Sequence, residues 1–276
     1  TEYLQDENLL TVSTGNPLKT HVLPYGKQRK DRGGMWYTPV SGIWQTVWLE
    51  SVPETYVKSL RFDATADTAT VTAEGVTEGT LTVTTPDGDL SFPLADGKAT
   101  VKIPSPRLWS PEDPYLYEFT LEAGEDKVQS YFALRTLEIK QVDGIPRLCL
   151  NGSPVFLHAL LDQGYWSDGI YTPASPACYE EDILAMKSLG FNTLRKHIKV
   201  EPEEFYYDCD RLGMLVMQDM VNNGHYSFLR DTALPTIGIK KLSDKRLHRD
   251  KYTRQAFYDG MESTVNQLRN HPCIVY

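Results

Sequence analysis

Phe156-Leu157-His158-Ala159-Leu160-Leu161-Asp162, Phe191-Asn192-Thr193-Leu194-Arg195-Lys196-His197 and Met214-Leu215-Val216-Met217-Gln218-Asp219 are three short runs in one stretch, 156–219. Each is apolar at its start and polar at its end, and a helical stretch of about ten residues separates each from the next. Short apolar strands alternating with helices indicate a parallel sheet. In such sheets the strand bodies build the core and the loops after the strand ends build the site. Asp162, Gln163, Arg195, His197 and Asp219 are therefore expected to gather on one rim.

The intervening helices have legible ends. Ser175-Pro176 reads as a cap followed by a first helical residue, with Tyr179, Ile183, Met186 and Leu189 on one face and Gly190 as the stop. A second helix opens near Pro202, carries Phe205, Cys209 and Leu212 on its apolar face, and closes at Gly213. Residues 220–252 show no period, and a stretch that long inside a compact domain reads as a lid or binding loop. Phe257, Met261, Val265 and Leu268 form a further helical stripe, and Cys273-Ile274-Val275-Tyr276 begins a fourth strand. Four strands with their helices are half of a (β/α)₈ barrel, which runs to about 250 residues when complete.

Upstream, the period changes. Residues 57–62, 69–73, 80–84, 99–103, 115–121 and 128–134 alternate apolar and polar, with turn signals such as Pro86-Asp87-Gly88, Ala95-Asp96-Gly97 and Ala123-Gly124 between them. That spacing indicates a small antiparallel sandwich of immunoglobulin type over 51–138. Nothing in it reads as chemistry, so a spacer role is expected. Asp143-Gly144 and Asn151-Gly152 are two-residue hairpin turns, placing a small hairpin sheet at the foot of the barrel. In residues 1–50, Leu9–Val12 and Ile43–Glu50 read as strands. Trp36, Trp44 and Trp48 read as a sugar-stacking platform or, the favoured reading, as sandwich core.

The bulk numbers narrow the function. Lys and Arg total 28 against 37 Asp and Glu, a net charge of −9. That balance argues against a nucleic-acid partner, since phosphate binding needs a basic face. No apolar run approaches the length of a membrane span, and no basic segment with an apolar run behind it opens the chain. Cys149, Cys178, Cys209 and Cys273 lack metal-type spacing and read as buried, reduced thiols. A reducing compartment, the bacterial cytoplasm, is therefore expected. No metal or cofactor is indicated. His225, His248 and His271 are singletons that read as exposed or satisfied loop histidines.

Ser41-Gly42-Ile43-Trp44-Gln45, Leu108-Trp109-Ser110-Pro111-Glu112-Asp113-Pro114-Tyr115-Leu116-Tyr117, Leu150-Asn151-Gly152-Ser153-Pro154-Val155, Gly190-Phe191-Asn192-Thr193-Leu194-Arg195 and Cys209-Asp210-Arg211-Leu212-Gly213, in that order, resemble glycoside hydrolase family 2, which includes β-galactosidases, β-glucuronidases and β-mannosidases. The resemblance implies that residues 1–50 are the last strands of a jelly-roll sugar-binding domain. It makes 51–138 an immunoglobulin-like sandwich and 139–276 the first half of a TIM barrel. It implies retaining exo-hydrolysis of terminal β-linked sugars, most like a β-galactosidase. The two catalytic glutamates would lie beyond Tyr276, so no catalytic residue is assigned here and the 276-residue chain is expected to be inactive alone.

By the same resemblance Asp162, Trp166, Arg195, His197 and Asp219 are the sugar-binding candidates. Arg195 stands where the family has an arginine that orders active-site carboxylates, a role needing a planar fork; the other reading is a surface arginine. His197 lies one residue before the galactosidase histidine, whose place is taken by Ile198. Asp219 fills the slot of a family acidic residue, preceded by Gln218 where an aspartate is usual. Asp162-Gln163-Gly164-Tyr165-Trp166 replaces an Asn-Arg-His type run, and Trp166 reads as a sugar platform or as packing under the lid. The implied partner is a carbohydrate. A half barrel leaves strand edges open, so self-association through Cys273–Tyr276, or disorder near both ends, is expected. The alternatives are a β-glucuronidase or other β-glycosidase, a non-catalytic carbohydrate-binding or interaction module of the same architecture, and a purely structural piece.

Overall fold

The computed structural model describes residues 5–16, 22–221, 226–239 and 250–276. From residue 59 the chain folds into an antiparallel sandwich: β1 (Ser59–Ala64), β2 (Thr68–Glu74), β3 (Gly79–Thr85), β4 (Gly88–Leu94), β5 (Lys98–Lys102), β6 (Tyr117–Ala123) and β7 (Asp126–Phe132). One sheet runs β1-β2-β5 and the other β4-β3-β6-β7. Alternation along each strand sends Val71, Leu81, Val83, Val101, Phe119 and Leu121 into a common core. Aromatic rings take the place of a staple: Phe62 meets Phe119 edge-on at 5.6 Å, and Tyr117 stacks on Phe132 at 5.5 Å.

Six of these strands match the alternation in the sequence, but β4 has no counterpart there. Its Asp89 and Pro93 argue against a strand interior. The structure puts β4 at a sheet edge, where a proline leaves no ladder bond unmade. The expected tight turns form as left-handed pairs: Asp96 and Gly97 (φ 49° and 71°), Asp143 and Gly144 (53° and 74°), and Asn151 and Gly152 (51° and 80°). The last two join β8 (Leu137–Val142), β9 (Ile145–Leu150) and β10 (Ser153–Pro154) into a three-stranded antiparallel sheet.

The remaining sheet is parallel, with order β11 (Ala159–Asp162), β12 (Thr193–Lys196), β13 (Leu215–Gln218). Residues 273–276 continue it beside β13: Val216 N–H donates to Cys273 O at 2.8 Å, Val275 N–H to Val216 O at 2.9 Å, and Gln218 N–H to Tyr276 O at 2.8 Å. Helices α1 (Ala177–Ser188) and α2 (Glu203–Leu212) cover one face, with Ile183, Phe205 and Cys209 packed in one core with Leu194 and Val216. Ser175 Oγ accepts from Ala177 N–H at 3.3 Å as α1 begins. Gly213 (φ 72°) ends α2, and a Cβ there would lie 2.5 Å from Pro111 O. A π-helical turn, Leu229–Ala233, leads into α3 (Leu234–Thr236), and α4 (Lys251–Leu268) follows. Of the expected lid, 220–252, the described residues are 220–221, 226–239 and 250–252. Leu189 of the expected α1 stripe is exposed, and of the α4 stripe only Leu268 is buried.

Trp109 joins the sandwich to the barrel half. It is fully buried, its Nε1–H donates to Asp210 O at 2.7 Å, and Asn151 Nδ2 donates to its carbonyl at 3.0 Å. Residues before 51 depart from expectation. Among the described ones no strand forms; only two isolated bridges do, Gln28–Tyr37 and Gly33–Trp36. Leu9, Leu10, Val47 and Leu49 are exposed. An alternating run becomes a strand only where a neighbour completes its ladder, and none lies beside these. The tryptophans are also outside the sandwich core. Trp36 meets Tyr226 edge-on at 5.0 Å, Trp44 meets Tyr171 at 4.7 Å, and Trp48 is exposed.

Candidate active site

The register of the parallel sheet sorts the polar strand ends. Leu161, Arg195 and Met217 lie side by side, and so do Asp162, Lys196 and Gln218. Neighbouring positions on a strand point to opposite faces. The expected rim residues therefore share the carboxyl end of the sheet but divide between its two faces.

On the open face, Arg195 and Asp219 pair as two forks: Nε to Oδ1 at 3.2 Å and Nη2 to Oδ2 at 2.8 Å. His197 Nδ1 lies 2.6 Å from the same Oδ2. The carboxylate can only accept, so Nδ1 carries the proton. Backbone bonds brace the cluster, from His197 N–H to Asp162 O at 2.8 Å and from Asp219 N–H to Lys196 O at 2.9 Å. Partial burial pushes the Asp219 carboxyl up, but the hydrogen bonds from Arg195 and His197 outweigh it and hold the group below its usual range. The bond to Asp219 raises Arg195 further.

On the helix face a different network is buried. Lys196 Nζ lies 2.8 Å from Asp162 Oδ2 and 2.6 Å from Glu201 Oε1. Lys199 Nζ lies 2.9 Å from Glu201 Oε2. Glu201 Oε1 makes no well-angled hydrogen bond, so its contact with Lys196 is an ion pair by distance alone. Asp162 Oδ1 also accepts from Gly164 N–H at 2.8 Å, and Tyr179 Oη donates to Glu201 Oε2 at 3.2 Å. Tyr206 Oη donates to Gln218 Oε1 at 2.6 Å, and Gln218 Nε2 donates to Lys199 O at 3.0 Å. Burial lowers both ammonium groups' affinity for the proton. Lys196, between two carboxylates, is nevertheless raised, while Lys199, with one carboxylate and Lys196 as a like-charged neighbour, is lowered. Lys196, Lys199 and Glu201 are not among the site residues that the sequence suggests. Nothing in their spacing marks them as buried.

Trp166 follows Asp162 by four residues and belongs to neither cluster. Its ring meets Tyr179 edge-on at 5.7 Å, its backbone pairs with Ile170, and its Nε1 is buried without a hydrogen-bond partner. The segment before the sandwich reaches the same loop. Lys27 Nζ donates to Gln163 Oε1 at 3.2 Å, and Tyr37 stacks on Tyr165 at 4.0 Å. His271 lies elsewhere: Nδ1 is 2.6 Å from Asp210 Oδ2 and Nε2 is 2.9 Å from Glu203 Oε2. It is a satisfied histidine, though buried. His225 and His248 fall outside the described residues. Among the described residues no group of three or more His, Cys, Asp or Glu side chains is placed to hold a metal ion. No described helix is long and apolar enough to cross a membrane.

The Arg–carboxylate–His cluster lies at the carboxyl ends of parallel β/α units, the end at which barrel enzymes carry their active sites. Residues 54–135 match Glycosyl hydrolases family 2 and residues 174–276 match Glycosyl hydrolases family 2, TIM barrel domain; the chain belongs to glycoside hydrolase family 2. A β-galactosidase of Aeromonas hydrophila subsp. hydrophila is 32% identical over 184 residues, 63% of this chain and 16% of that protein. A putative β-glucuronidase of Formosa agariphila is 26% identical over 190 residues, 65% of this chain and 16% of that protein. Among solved structures, the β-D-glucuronidase of Dictyoglomus thermophilum superposes with a TM-score of 0.63 at 19% identity, covering 80% of this chain and 38% of that one. The Faecalibacterium prausnitzii β-glucuronidase gives 0.61 at 23%, covering 81% and 35%. At these identities the structural likeness speaks for the fold alone. The chain spans between 16% and 38% of the length of these four proteins.

Proposed function

We propose that this chain supplies the sugar-facing rim of a retaining exo-β-glycosidase, most like a β-galactosidase. The Arg195–Asp219–His197 cluster, braced at the carboxyl ends of neighbouring parallel strands, carries the reading. Asp219 takes up Nε and one N–H of Nη2, so Arg195 keeps further N–H donors in a held plane. A guanidinium fixed in that way can orient a carboxylate or a sugar hydroxyl without losing side-chain freedom at the moment of binding. With Nδ1 committed to Asp219, His197 has Nε2 left to meet a hydroxyl. Asp162 ends β11 on the other face of the sheet, paired with Lys196, and Trp166 lies in the loop that follows.

Retaining hydrolysis needs two carboxyl groups about 5–5.5 Å apart, one attacking the sugar and one protonating the leaving oxygen. In this reading both lie on polypeptide beyond these 276 residues, and the chain by itself turns nothing over. Residues 1–50 then belong to a jelly-roll sugar-binding domain, 51–138 to an immunoglobulin-like sandwich and 139–276 to the first half of the barrel. The enzyme works in the cytoplasm.

Chromogenic β-glycosides test the proposal. The full-length polypeptide is expected to cleave the β-galactoside faster than the glucuronide, mannoside or arabinoside. R195K, which loses the two-toothed pairing, should lower kcat/KM by about 100-fold. Turnover by the 276-residue chain alone, or an R195K enzyme with unchanged kcat/KM, refutes it.

A further inference from the structure

Two isoleucines flank the site with backbone in the left-handed region, Ile198 at φ 64° and Ile170 at φ 61°. A β-branched residue there is a genuine outlier, because its Cβ crowds the following carbonyl. Such strain persists only where the surroundings over-determine it. One residue adjoins both places. Lys199 directly follows Ile198, and its ammonium donates to Tyr171 O, next to Ile170, and to Gly164 O at 2.7 Å. It is 1% exposed, bound to a fully buried Glu201 at 2.9 Å, and covered by the Tyr171 ring at 4.3 Å and the Trp44 ring at 5.3 Å. The room for it is kept by a missing side chain: a Cβ on Gly164 would lie 2.0 Å from Glu201 Oε1 and 2.9 Å from Lys199 Cδ.

The residue on the other side of Ile198 is His197. We propose that Lys199, anchored by Glu201, is a positioning residue that holds the left-handed Ile198 turn and thereby sets His197 against Asp219. This rests on the reading of Arg195, His197 and Asp219 as the sugar-facing rim. Lys199 touches no substrate. It acts by fixing the direction in which the chain leaves β12, so that the imidazole Nδ1–H meets the carboxylate before any sugar arrives.

A cycle of K199M, I198G and I198G/K199M in the full-length polypeptide tests the clamp. Glycine takes the left-handed conformation without strain, so the turn should no longer need holding once Ile198 is replaced. The readout is the Nδ1–H resonance of His197 in histidine-labelled protein, identified by its loss in H197Q. Wild type and I198G should show it, K199M should lose it, and I198G/K199M should recover it. In parallel, K199M should lower kcat by about tenfold or more while KM moves by less than about twofold, with the double variant regaining most of the loss. A purely structural ion pair would give additive losses with no recovery. If K199M does not fold, recovery of folding and of the resonance in the double variant supports the clamp. A resonance retained in K199M, or a double variant no better than K199M, overturns it. Wild type that shows the resonance but cleaves no β-glycoside refutes the proposed function and leaves the clamp standing.

Discussion

His271 should make the stability of this chain fall as pH rises. The imidazole is held between Asp210 and Glu203, with Tyr131 Oη donating to Asp210 Oδ2 at 2.7 Å from the sandwich side. Burial is the largest influence and disfavours its charge, but the two carboxylate hydrogen bonds outweigh burial and raise it from 6.5 to about 9. A folded value above the unfolded one means that the folded chain holds the extra proton. The stabilisation is complete below pH 6.5 and is lost as pH climbs through about 9. Between those limits the slope is about 1.4 kcal/mol per pH unit, a total near 3 kcal/mol. The Glu203 side chain is 58% exposed, so water screens its share, and about 2 kcal/mol is the better figure. Urea unfolding, followed by the fluorescence of buried Trp109, should be measured from pH 6 to 9.5 for wild type and H271Q. Tyrosines and lysines titrate in both proteins and cancel in the difference. Wild type should lose about 2 kcal/mol more than H271Q across that window. H271Q should also be the less stable at pH 6, because Asp210 is left buried without its cation. Parallel pH profiles for the two proteins would mean that His271 is neutral in the folded chain, and the reasoning fails.

Asp219 works in the opposite sense. Its depressed carboxyl contributes stability that is present above its ordinary value of 3.8 and is lost as pH falls through the folded one. D219N should flatten the acid limb of the unfolding profile, and an unchanged limb counts against the pairing with Arg195. G213A should lower stability by about 1–3 kcal/mol in urea titration, since its φ of 72° and the 2.5 Å approach to Pro111 O both exclude a Cβ. In the sandwich, L81A should cost about 3–4 kcal/mol, because Leu81 is fully buried in the core with Phe119 and Leu121 nearby in chain pairing. A loss below about 1 kcal/mol would mean the two sheets can collapse onto the gap.

The parallel strands were readable because each is buried on the helix side and ends in a polar residue, a pattern that survives without knowing the neighbours. The tight turns were readable because only a few residue pairs tolerate positive φ. The strands expected at 9–12 and 43–50 do not form because alternation is necessary for a ladder but does not supply its second side. β4 stayed hidden for the converse reason: Pro93 is tolerated only at an edge, and whether a strand lies at an edge is a property of the sheet.

The candidate site divides along the same line. Sequence alone placed Asp162, Arg195, His197 and Asp219 at strand ends, since the hydrophobic period locates where each strand stops. It could not say which of them meet. Tertiary structure decided that through one-residue alternation across a parallel register, which turns Asp162 toward Lys196 and Arg195 toward Asp219. It also decided that Lys196, Lys199 and Glu201 are buried. A charge can leave water only when its partners are already in place, and these partners come from segments as far apart as Trp44, Asp162 and Tyr179.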